Sequence, residues 1–267
     1  MIQMIMRCLP LFFFLIITPF IHFGDIEPFQ RGFFCDDETL KYPYIENQTI
    51  PAYVCITGWV SISLFTILFT QKVSKSFSIK VILDMITGVM CCILLTDITK
   101  YSAGRLRPHF LTLCNPDFNN ICFDKDAYYT DYNGEEHLNE FYQKYVLNRT
   151  NEIDGTNVCS IEKLELLREA RLSFISGHAS ISFYFATFLI VYMNRITKHL
   201  TCGNKIVPFI QIFMFMLATW ISLTRISDYY HYPLDVFGGA IAGVGVALYY
   251  IKNIKPINNS SEDLQLQ

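Results

Sequence analysis

Apolar and polar stretches alternate along the chain on the scale of whole membrane-spanning helices. Six apolar segments approach that length, at about residues 8–23, 50–70, 81–99, 174–193, 206–224 and 232–251. The first is the shortest and follows Arg7, which is also typical of a signal peptide, but no small-x-small cleavage site comes after it. The pattern therefore predicts an all-α polytopic membrane protein with six transmembrane helices and an irregular outer loop between the third and the fourth.

The charges between these segments predict the orientation of the chain. The connections 71–80 and 194–205 each carry three basic residues and no acidic residue, and basic residues flank both ends of the membrane region on the same side. The positive-inside rule therefore places both termini in the cytosol. The acidic connection 24–49 and the glycosylation sequons at Asn47 and Asn148 agree with an extracellular or luminal opposite face.

This organisation predicts one six-span membrane domain, residues 1–251, and a short polar cytosolic tail, residues 252–267. We expect the plasma membrane, with an internal membrane as the alternative, because the lumen is topologically equivalent to the outside. Hydrophobic residues make up 52% of the chain and charged residues 17%, which is typical of a membrane protein. A net charge of −3 without a basic tract argues against a nucleic-acid partner. The sequence leaves a homo-oligomer open.

The nine cysteines contain no C-x-x-C pair, so neither a zinc site nor a thioredoxin-like motif is predicted. Four of them fall on the outer side, where disulfides form, and the sequence leaves their pairing open. These four are Cys35, Cys114, Cys122 and Cys159.

Three polar clusters adjoin the outer ends of the predicted helices. They are residues 100–108 after the third helix, 176–178 at the start of the fourth, and 224–235 between the fifth and the sixth. Four basic residues in these clusters lie outside, against the positive-inside trend, which an anionic ligand would explain. They are Lys100, Arg105, Arg107 and Arg225.

Each cluster offers groups that suit an anion. Lys100 and Arg107 are two helical turns apart and can share one face. Gly177 opens a helix, where free backbone N–H groups bind phosphate oxygens. His231 precedes a helix predicted to begin at Pro233, at the positive end of its dipole and four residues before the acidic Asp235. Snorkelling cations, a helix cap at Ser176 and an interfacial histidine would explain each cluster alone. Their common side of the membrane favours one anion site.

The clusters resemble a known signature. Lys100-x6-Arg107-Pro108, Ser176-Gly177-His178 and Arg225-x5-His231-x3-Asp235 are similar in order and spacing to the three-part signature of the type-2 phosphatidic acid phosphatase superfamily. Residues 28–44 and 105–110 resemble the animal lipid phosphate phosphatases in particular, and the resemblance runs from about residue 28 to 251. Two positions depart from the pattern, since Thr224 stands for the usual Ser and Ile175 for the usual Pro or Tyr.

The resemblance implies hydrolysis of lipid phosphate monoesters without a metal ion or cofactor. The implied substrates are phosphatidate, lysophosphatidate, sphingosine 1-phosphate and ceramide 1-phosphate. The implied phosphate-binding residues are Lys100, Arg107, Ser176, Gly177 and Arg225. His231 would attack phosphorus while Asp235 orients it. His178 would protonate the leaving alkoxide and then activate water.

Three alternatives remain. A lipid phosphotransferase of the same superfamily would use an alcohol in place of water, but the outer segments resemble the phosphatases. An intramembrane serine hydrolase built on Ser176, His231 and Asp235 would leave the cations without a role and lacks the glycine usual two residues before the serine. A non-catalytic anion-binding scaffold or transporter would be expected to lose an essential His or Asp. Among the other charged groups, Asp97 is expected to pair with Lys100. The remaining histidines, which are expected to be interfacial or solvated, are His22, His109, His137 and His199.

Overall fold

The computed structural model describes residues 2–24, 26–34, 37–73, 78–116, 128–130, 136–138, 145–146, 159, 164–197 and 203–252. Its helices are α1 (Ile2–Phe23), α2 (Ala52–Val73), α3 (Ile79–Ala103), α4 (Phe110–Cys114), α5 (Leu164–Glu169), α6 (Gly177–Thr197), α7 (Gly203–Ser227) and α8 (Pro233–Ile251). The strands are β1 (Phe33–Phe34), β2 (Tyr128–Thr130), β3 (Glu136–Leu138) and β4 (Tyr145–Val146), and a 3₁₀ turn covers Glu38–Leu40.

Five of these helices are long and apolar enough to cross a membrane. They are Ala52–Lys72, Ile79–Ala103, Gly177–Ile196, Ile206–Ser227 and Pro233–Ile251. They coincide with five of the six predicted segments, so the chain is an all-α polytopic membrane protein. The first predicted segment lies within α1, whose apolar part Pro10–His22 is shorter than the other five. A sixth membrane span therefore stays a prediction.

Helix α6 is the centre of the helical bundle. It packs against α8, α7, α2 and α3, and two thirds (67%) of its most apolar stretch is buried. Four of its aromatic side chains, Tyr184, Phe185, Phe188 and Tyr192, are completely covered. By contrast, α2 and α7 expose large apolar side chains such as Phe65 and Trp220, as expected for surfaces that face lipid. Only around α6 are the side chains therefore buried as in the core of a soluble protein.

Glycines bring α8 unusually close to α6. A Cβ atom at Gly239 would overlap the Ser176 carbonyl oxygen, and one at Gly243 would overlap the Ser180 carbonyl oxygen. Gly245, on another face of α8, has no atom within 4 Å of the same position. The Gly239-x-x-x-Gly243 spacing therefore serves close helix packing. This contact is what holds the start of α8 against the start of α6.

The connections between α1 and α2 and between α4 and α5 carry the short strands. Phe33 pairs with Val146 across β1 and β4, and β2 pairs with β3. A disulfide joins Cys114, at the end of α4, to Cys159. It supplies a pairing that the sequence had left open, while Cys35 and Cys122 lie outside the described residues. Phe110 and Leu40 are part of a small apolar cluster under these connections, separate from the helical core.

Candidate active site

Main-chain hydrogen bonds join the second polar cluster to the third, brace the third internally, and join the first to the segment that precedes the second. They run from Arg107 N to Ala170 O (2.8 Å), from Ser173 N to Arg105 O (3.0 Å), from Ser176 N to Asp235 O (2.9 Å) and from His231 N to Arg225 O (3.2 Å). Because these bonds use only backbone groups, the mutual position of the clusters does not depend on the side chains that carry the chemistry.

The clusters surround one cavity of about 490 Å³. The predicted site residues that line it are Lys100, Arg107, Gly177, His178, Arg225 and His231. Ser176 and Asp235 are fully buried directly behind them. Away from these charged groups the cavity wall is apolar, with Ile56 from α2, Met90 from α3 and Ile181 from α6. The structure thus brings all eight predicted residues together at one end of a largely apolar cavity.

Arg225 is the most completely buried cation of the cavity, at 1% exposed. Its Nη2 donates to Asp228 Oδ2 at 2.8 Å, and its Nε and Nη2 both donate to the Thr224 hydroxyl at 3.1 and 3.0 Å. The threonine that departs from the usual signature therefore keeps the hydroxyl contact. Nη1 donates to Gln48 Oε1 at 2.8 Å. Four of the five guanidinium hydrogens are then used, which leaves one on Nη1.

Lys100 and Arg107 are less completely paired. Arg107 Nη2 lies 3.1 Å from Glu169 Oε2, and its guanidinium stacks 5.0 Å from the centre of the Tyr230 ring. Within the described part of the chain, Arg107 Nε makes no hydrogen bond, and none is formed by Lys100. Asp97 does not pair with Lys100 as expected, because its Oδ2 lies 2.8 Å from His22 Nδ1. Both cations keep donors for a ligand.

His231 is buried beside Asp235, with Nδ1 lying 3.8 Å from Asp235 Oδ2. This distance is longer than a hydrogen bond, and Nδ1 has no hydrogen-bond partner among the described residues. Burial lowers the pKa of His231 to about 4, and the Arg107 and Lys100 charges act in the same direction against the Asp235 carboxylate. The imidazole is therefore neutral near pH 7 and has a free lone pair.

The Asp235 carboxylate is held from three sides. Oδ2 accepts from the Ser173 hydroxyl at 2.6 Å and from Tyr232 N at 3.0 Å, and Oδ1 accepts from Arg105 Nη1 at 2.6 Å. The bond to Tyr232 N caps α8, which begins at Pro233 as predicted. The roles of Arg105 and Ser173 were missed by sequence reasoning, because nothing local in the chain connects them to residue 235.

His178 stands in the first turn of α6 and lines the other side of the charged end. Its Nε2 lies 3.0 Å from the Ile50 carbonyl oxygen. Because a carbonyl oxygen only accepts, Nε2 carries the hydrogen and Nδ1 of the neutral ring carries the lone pair. Nearby, the fully buried Ser176 hydroxyl has no hydrogen-bond partner in the described ranges, and so it is bonded to neither histidine.

The other histidines differ from expectation in two places. The prediction that His109 is interfacial or solvated is wrong: its side chain is 1% exposed and its Nδ1 lies 2.9 Å from the Tyr229 carbonyl oxygen. Burial lowers its pKa to about 4, with the Arg107 charge acting in the same direction. His22 lines the cavity beside Asp97 rather than standing apart. His199 lies outside the described residues.

Within the ranges that the structure describes, no group of three or more His, Cys, Asp or Glu side chains is arranged to hold a metal ion. Asn47, the first sequon asparagine, is exposed, while Asn148 falls outside these ranges.

The chain belongs to the PAP2 superfamily, whose family model matches residues 80–258 and so includes all three clusters. Its relatives include phospholipid phosphatase 1 of Rattus norvegicus, which is 33% identical over 252 residues, 88% of this chain and 79% of the relative. Phospholipid phosphatase 2 of Homo sapiens is 30% identical over 234 residues, 82% of this chain and 72% of the relative. A putative phosphatidate phosphatase of Drosophila melanogaster is 31% identical over 245 residues, 81% of this chain and 59% of the relative. No solved structure matches the chain.

Proposed function

We propose that this membrane phosphatase hydrolyses phosphate monoesters of lipids at the extracellular or luminal face, through a phosphohistidine at His231 and without a metal ion. One observation carries the proposal: His231, buried beside a carboxylate, and the half-buried His178 line a single cavity together with three cations. An anion-binding site alone would not need the two imidazoles, and a serine hydrolase would need a hydrogen bond to the Ser176 hydroxyl, which neither histidine makes.

The phosphate binds at the charged end of the cavity. Lys100, Arg107 and the remaining Nη1 hydrogen of Arg225 contact its oxygens and stabilise the charge that spreads over them in the transition state. The Ser176 hydroxyl and the backbone N–H of Gly177, at the N-terminus of α6, complete this phosphate-binding set. Gly177 leaves room for the ligand, since a Cβ there would lie 3.7 Å from Lys100 Nζ.

The reaction then proceeds in two steps. In the first, His178 takes up a proton from solvent at Nδ1 when the phosphate dianion binds. His231 Nε2 then attacks phosphorus, the bond to the lipid oxygen breaks, and His178 Nδ1 gives this proton to the leaving alkoxide, which returns the ring to its neutral form. In the second, His178 takes a proton from water, which attacks the phosphohistidine and releases inorganic phosphate. Asp235 accepts a hydrogen bond from the Nδ1–H group of His231 while that ring is positively charged. This requires the 3.8 Å distance between Nδ1 and Asp235 Oδ2 to shorten by about 1 Å on substrate binding.

The substrate is proposed to be a lipid because of the shape of the cavity and its position. The charged end lies at the helix ends, where a headgroup would sit, and the apolar wall continues between α2, α3 and α6. The relatives named for phospholipids and phosphatidate support the same class. Phosphatidate, lysophosphatidate, sphingosine 1-phosphate and ceramide 1-phosphate are candidates without a ranking.

The proposed orientation places the site outside the cytosol and both termini inside it. The Cys114–Cys159 disulfide supports an oxidising compartment on the site's side, and the exposed Asn47 sequon agrees with it. The plasma membrane is the proposed location, with both outer sequons, Asn47 and Asn148, as glycosylation sites. The second candidate function is a lipid phosphotransferase of the same superfamily, in which an alcohol replaces water in the second step.

The test is a substrate panel on purified protein in detergent–lipid micelles, with wild type beside His231→Ala. We expect phosphate release from short-chain phosphatidate to fall by about 1,000-fold or more in His231→Ala, and a chelator to have no effect. The matched control is His137→Ala in strand β3, which should keep wild-type activity. Substantial activity in His231→Ala would exclude the nucleophile, and sensitivity to a chelator would point to a metal phosphatase. A lipid product of transfer in place of free phosphate would favour the phosphotransferase.

A further inference from the structure

The first outer connection reaches the charged end of the cavity through one side chain, Gln48. This residue lines the cavity although it precedes residues 80–258, the part of the chain that matches the PAP2 superfamily. Its Oε1 accepts from Arg225 Nη1 at 2.8 Å, across 177 positions of sequence. The site is therefore completed by a segment outside the family match.

The neighbouring residue holds the same arginine indirectly. Thr49 donates to the Asp228 carboxylate with its backbone N at 2.9 Å and with its hydroxyl at 2.7 Å. Asp228 in turn accepts from Arg225 Nη2 at 2.8 Å. Two consecutive residues thus fix two different nitrogens of one guanidinium. Arg225 cannot turn its plane without breaking contacts to both.

The orientation of the Gln48 amide follows from its partner. A guanidinium only donates, so the atom that faces Arg225 must be the amide oxygen. Of the two hydrogens on Nε2, one serves the Tyr230 hydroxyl and the other is left for the cavity. Because Arg225 is already neutralised by Asp228, a neutral donor beside it adds a hydrogen bond to phosphate without adding charge.

We propose that Gln48 is a substrate-binding residue of this phosphatase: Oε1 orients Arg225 and Nε2 donates to a phosphate oxygen of the bound monoester. This inference rests on the proposed function for its substrate, but the ligand contact itself concerns any phosphate group. It also assigns a task to the Asn47-Gln48-Thr49 sequon beyond glycosylation, since its second and third residues hold the site.

The sequon makes the test unusually clean. Its middle position accepts any residue except proline, so Gln48→Ala and Gln48→Glu keep the acceptor Asn47 and Thr49 unchanged. Asn47→Gln removes the sequon and leaves Gln48 and Thr49 in place, so it is the matched control for any effect of a glycan. Thermal unfolding in detergent confirms that each variant is folded.

The measurement is inhibition of short-chain phosphatidate hydrolysis by inorganic phosphate, together with kcat and KM. For Gln48→Ala we expect the inhibition constant of inorganic phosphate to rise and kcat/KM to fall by about 10-fold each, the value of one hydrogen bond to a charged group. For Gln48→Glu we expect a larger loss of about 100-fold, because the new carboxylate repels phosphate. Asn47→Gln should match wild type.

The inference is overturned if Gln48→Glu keeps the wild-type inhibition constant for inorganic phosphate, or if Asn47→Gln reproduces the losses of the Gln48 variants. Calorimetric binding of inorganic phosphate to wild type and Gln48→Glu separates this inference from the proposed function. If wild type hydrolyses no lipid phosphate but binds inorganic phosphate more tightly than Gln48→Glu does, the function fails and the binding role stands. If wild type hydrolyses lipid phosphates and binds inorganic phosphate no more tightly than Gln48→Glu does, only the binding role of Gln48 is excluded.

Discussion

His178 and His231, the two histidines at the charged end of the cavity, differ in the group that faces their second ring nitrogen. His178 Nε2 lies against the Ile50 carbonyl oxygen, a neutral acceptor that fixes the tautomer. His231 Nδ1 lies near the Asp235 carboxylate, which itself is held by Arg105, Ser173 and the backbone of Tyr232. A full negative charge stabilises a ring that becomes positive, and a carbonyl oxygen does so far less. The surroundings therefore support the proposed roles of His231 as the nucleophile and His178 as the acid–base group.

Of the substitutions that distinguish His178 from His231, removal of the His178 side chain is expected to have the largest effect. We expect His178→Ala to lower phosphate release by about 100-fold or more, the usual contribution of a general acid–base group. Because water activation is lost while His231 remains, a phosphorylated protein should accumulate during turnover. It would be detected as label that is labile in acid and stable in base, after rapid quenching with radioactive substrate.

The reverse pattern would exchange the two roles. Accumulation of phosphoprotein in His231→Ala and its absence in His178→Ala would make His178 the nucleophile.

Removing a hydrogen bond to the Asp235 carboxylate should have a moderate effect, and only on the step in which His231 attacks. Ser173→Ala removes one of the three donors to the carboxylate, and we expect kcat to fall by about 10-fold with KM nearly unchanged, the cost of one charge-assisted hydrogen bond. Formation of the phosphoenzyme should slow while its hydrolysis does not. Ser227→Ala, an exposed serine at the end of α7, is the matched control. Equal slowing of both steps would contradict a role through Asp235.

The pH dependence of His231 offers a smaller effect. Its pKa is lowered to about 4, so its imidazole NMR resonances, assigned by comparison with His231→Ala, should not shift between pH 8 and about 5.5. In the unfolded chain the ring titrates near 6.5, so below that pH the unfolded state binds more protons. Stability therefore decreases as pH falls from about 6.5 towards 4. Resonances that titrate near pH 7 would show that the ring is not desolvated.

The smallest difference between His178 and His231 is expected from a substitution in the helix contact that supports both residues equally. Gly243→Ala forces α8 away from the Ser180 backbone and should lower the free energy of unfolding by about 1–3 kcal/mol, as overpacking does. Gly245→Ala, which meets no atom within 4 Å, should leave it unchanged. Thermal unfolding in detergent provides the comparison. If the two variants melted alike, close packing at Gly243 would not be what holds the helices together.

The sequence predicted the residues whose spacing is local. His231 and Asp235 follow from a helix start marked by proline, and the structure places Asp235 directly behind His231 at the cavity. The prediction that Lys100 and Arg107 share a helix face is wrong, because α3 ends at Ala103 before the left-handed Gly104, and Arg107 reaches the same cavity from the segment that follows the helix. Partners from distant parts of the chain were not predictable in this way. Gln48 is 177 positions from Arg225, and Arg105 is 130 from Asp235.

Two further outcomes show the same limit. Asp97 was expected to pair with a lysine one turn away, but the tertiary contact with His22 on α1 is the one it makes. His109 was expected to be interfacial or solvated because it lacks polar neighbours in sequence like those that accompany His178 and His231. Its burial comes instead from the aromatic rings of Tyr44 and Tyr230, which reach it from other segments. Contacts of this kind depend on the assembled bundle, which local patterns do not encode.

The hydrogen bond from Ser176 N to Asp235 O also sets an order of events during synthesis of the protein. The ribosome completes Lys100, Arg107 and His178 long before it reaches Asp235, which opens the last helix. Until α8 is inserted, the start of α6 lacks its main-chain partner and His231 lacks its carboxylate. A nascent chain that stops before residue 233 would therefore hold both histidines and every cation in the membrane and still have no assembled site. Catalytic competence arrives with the final helix.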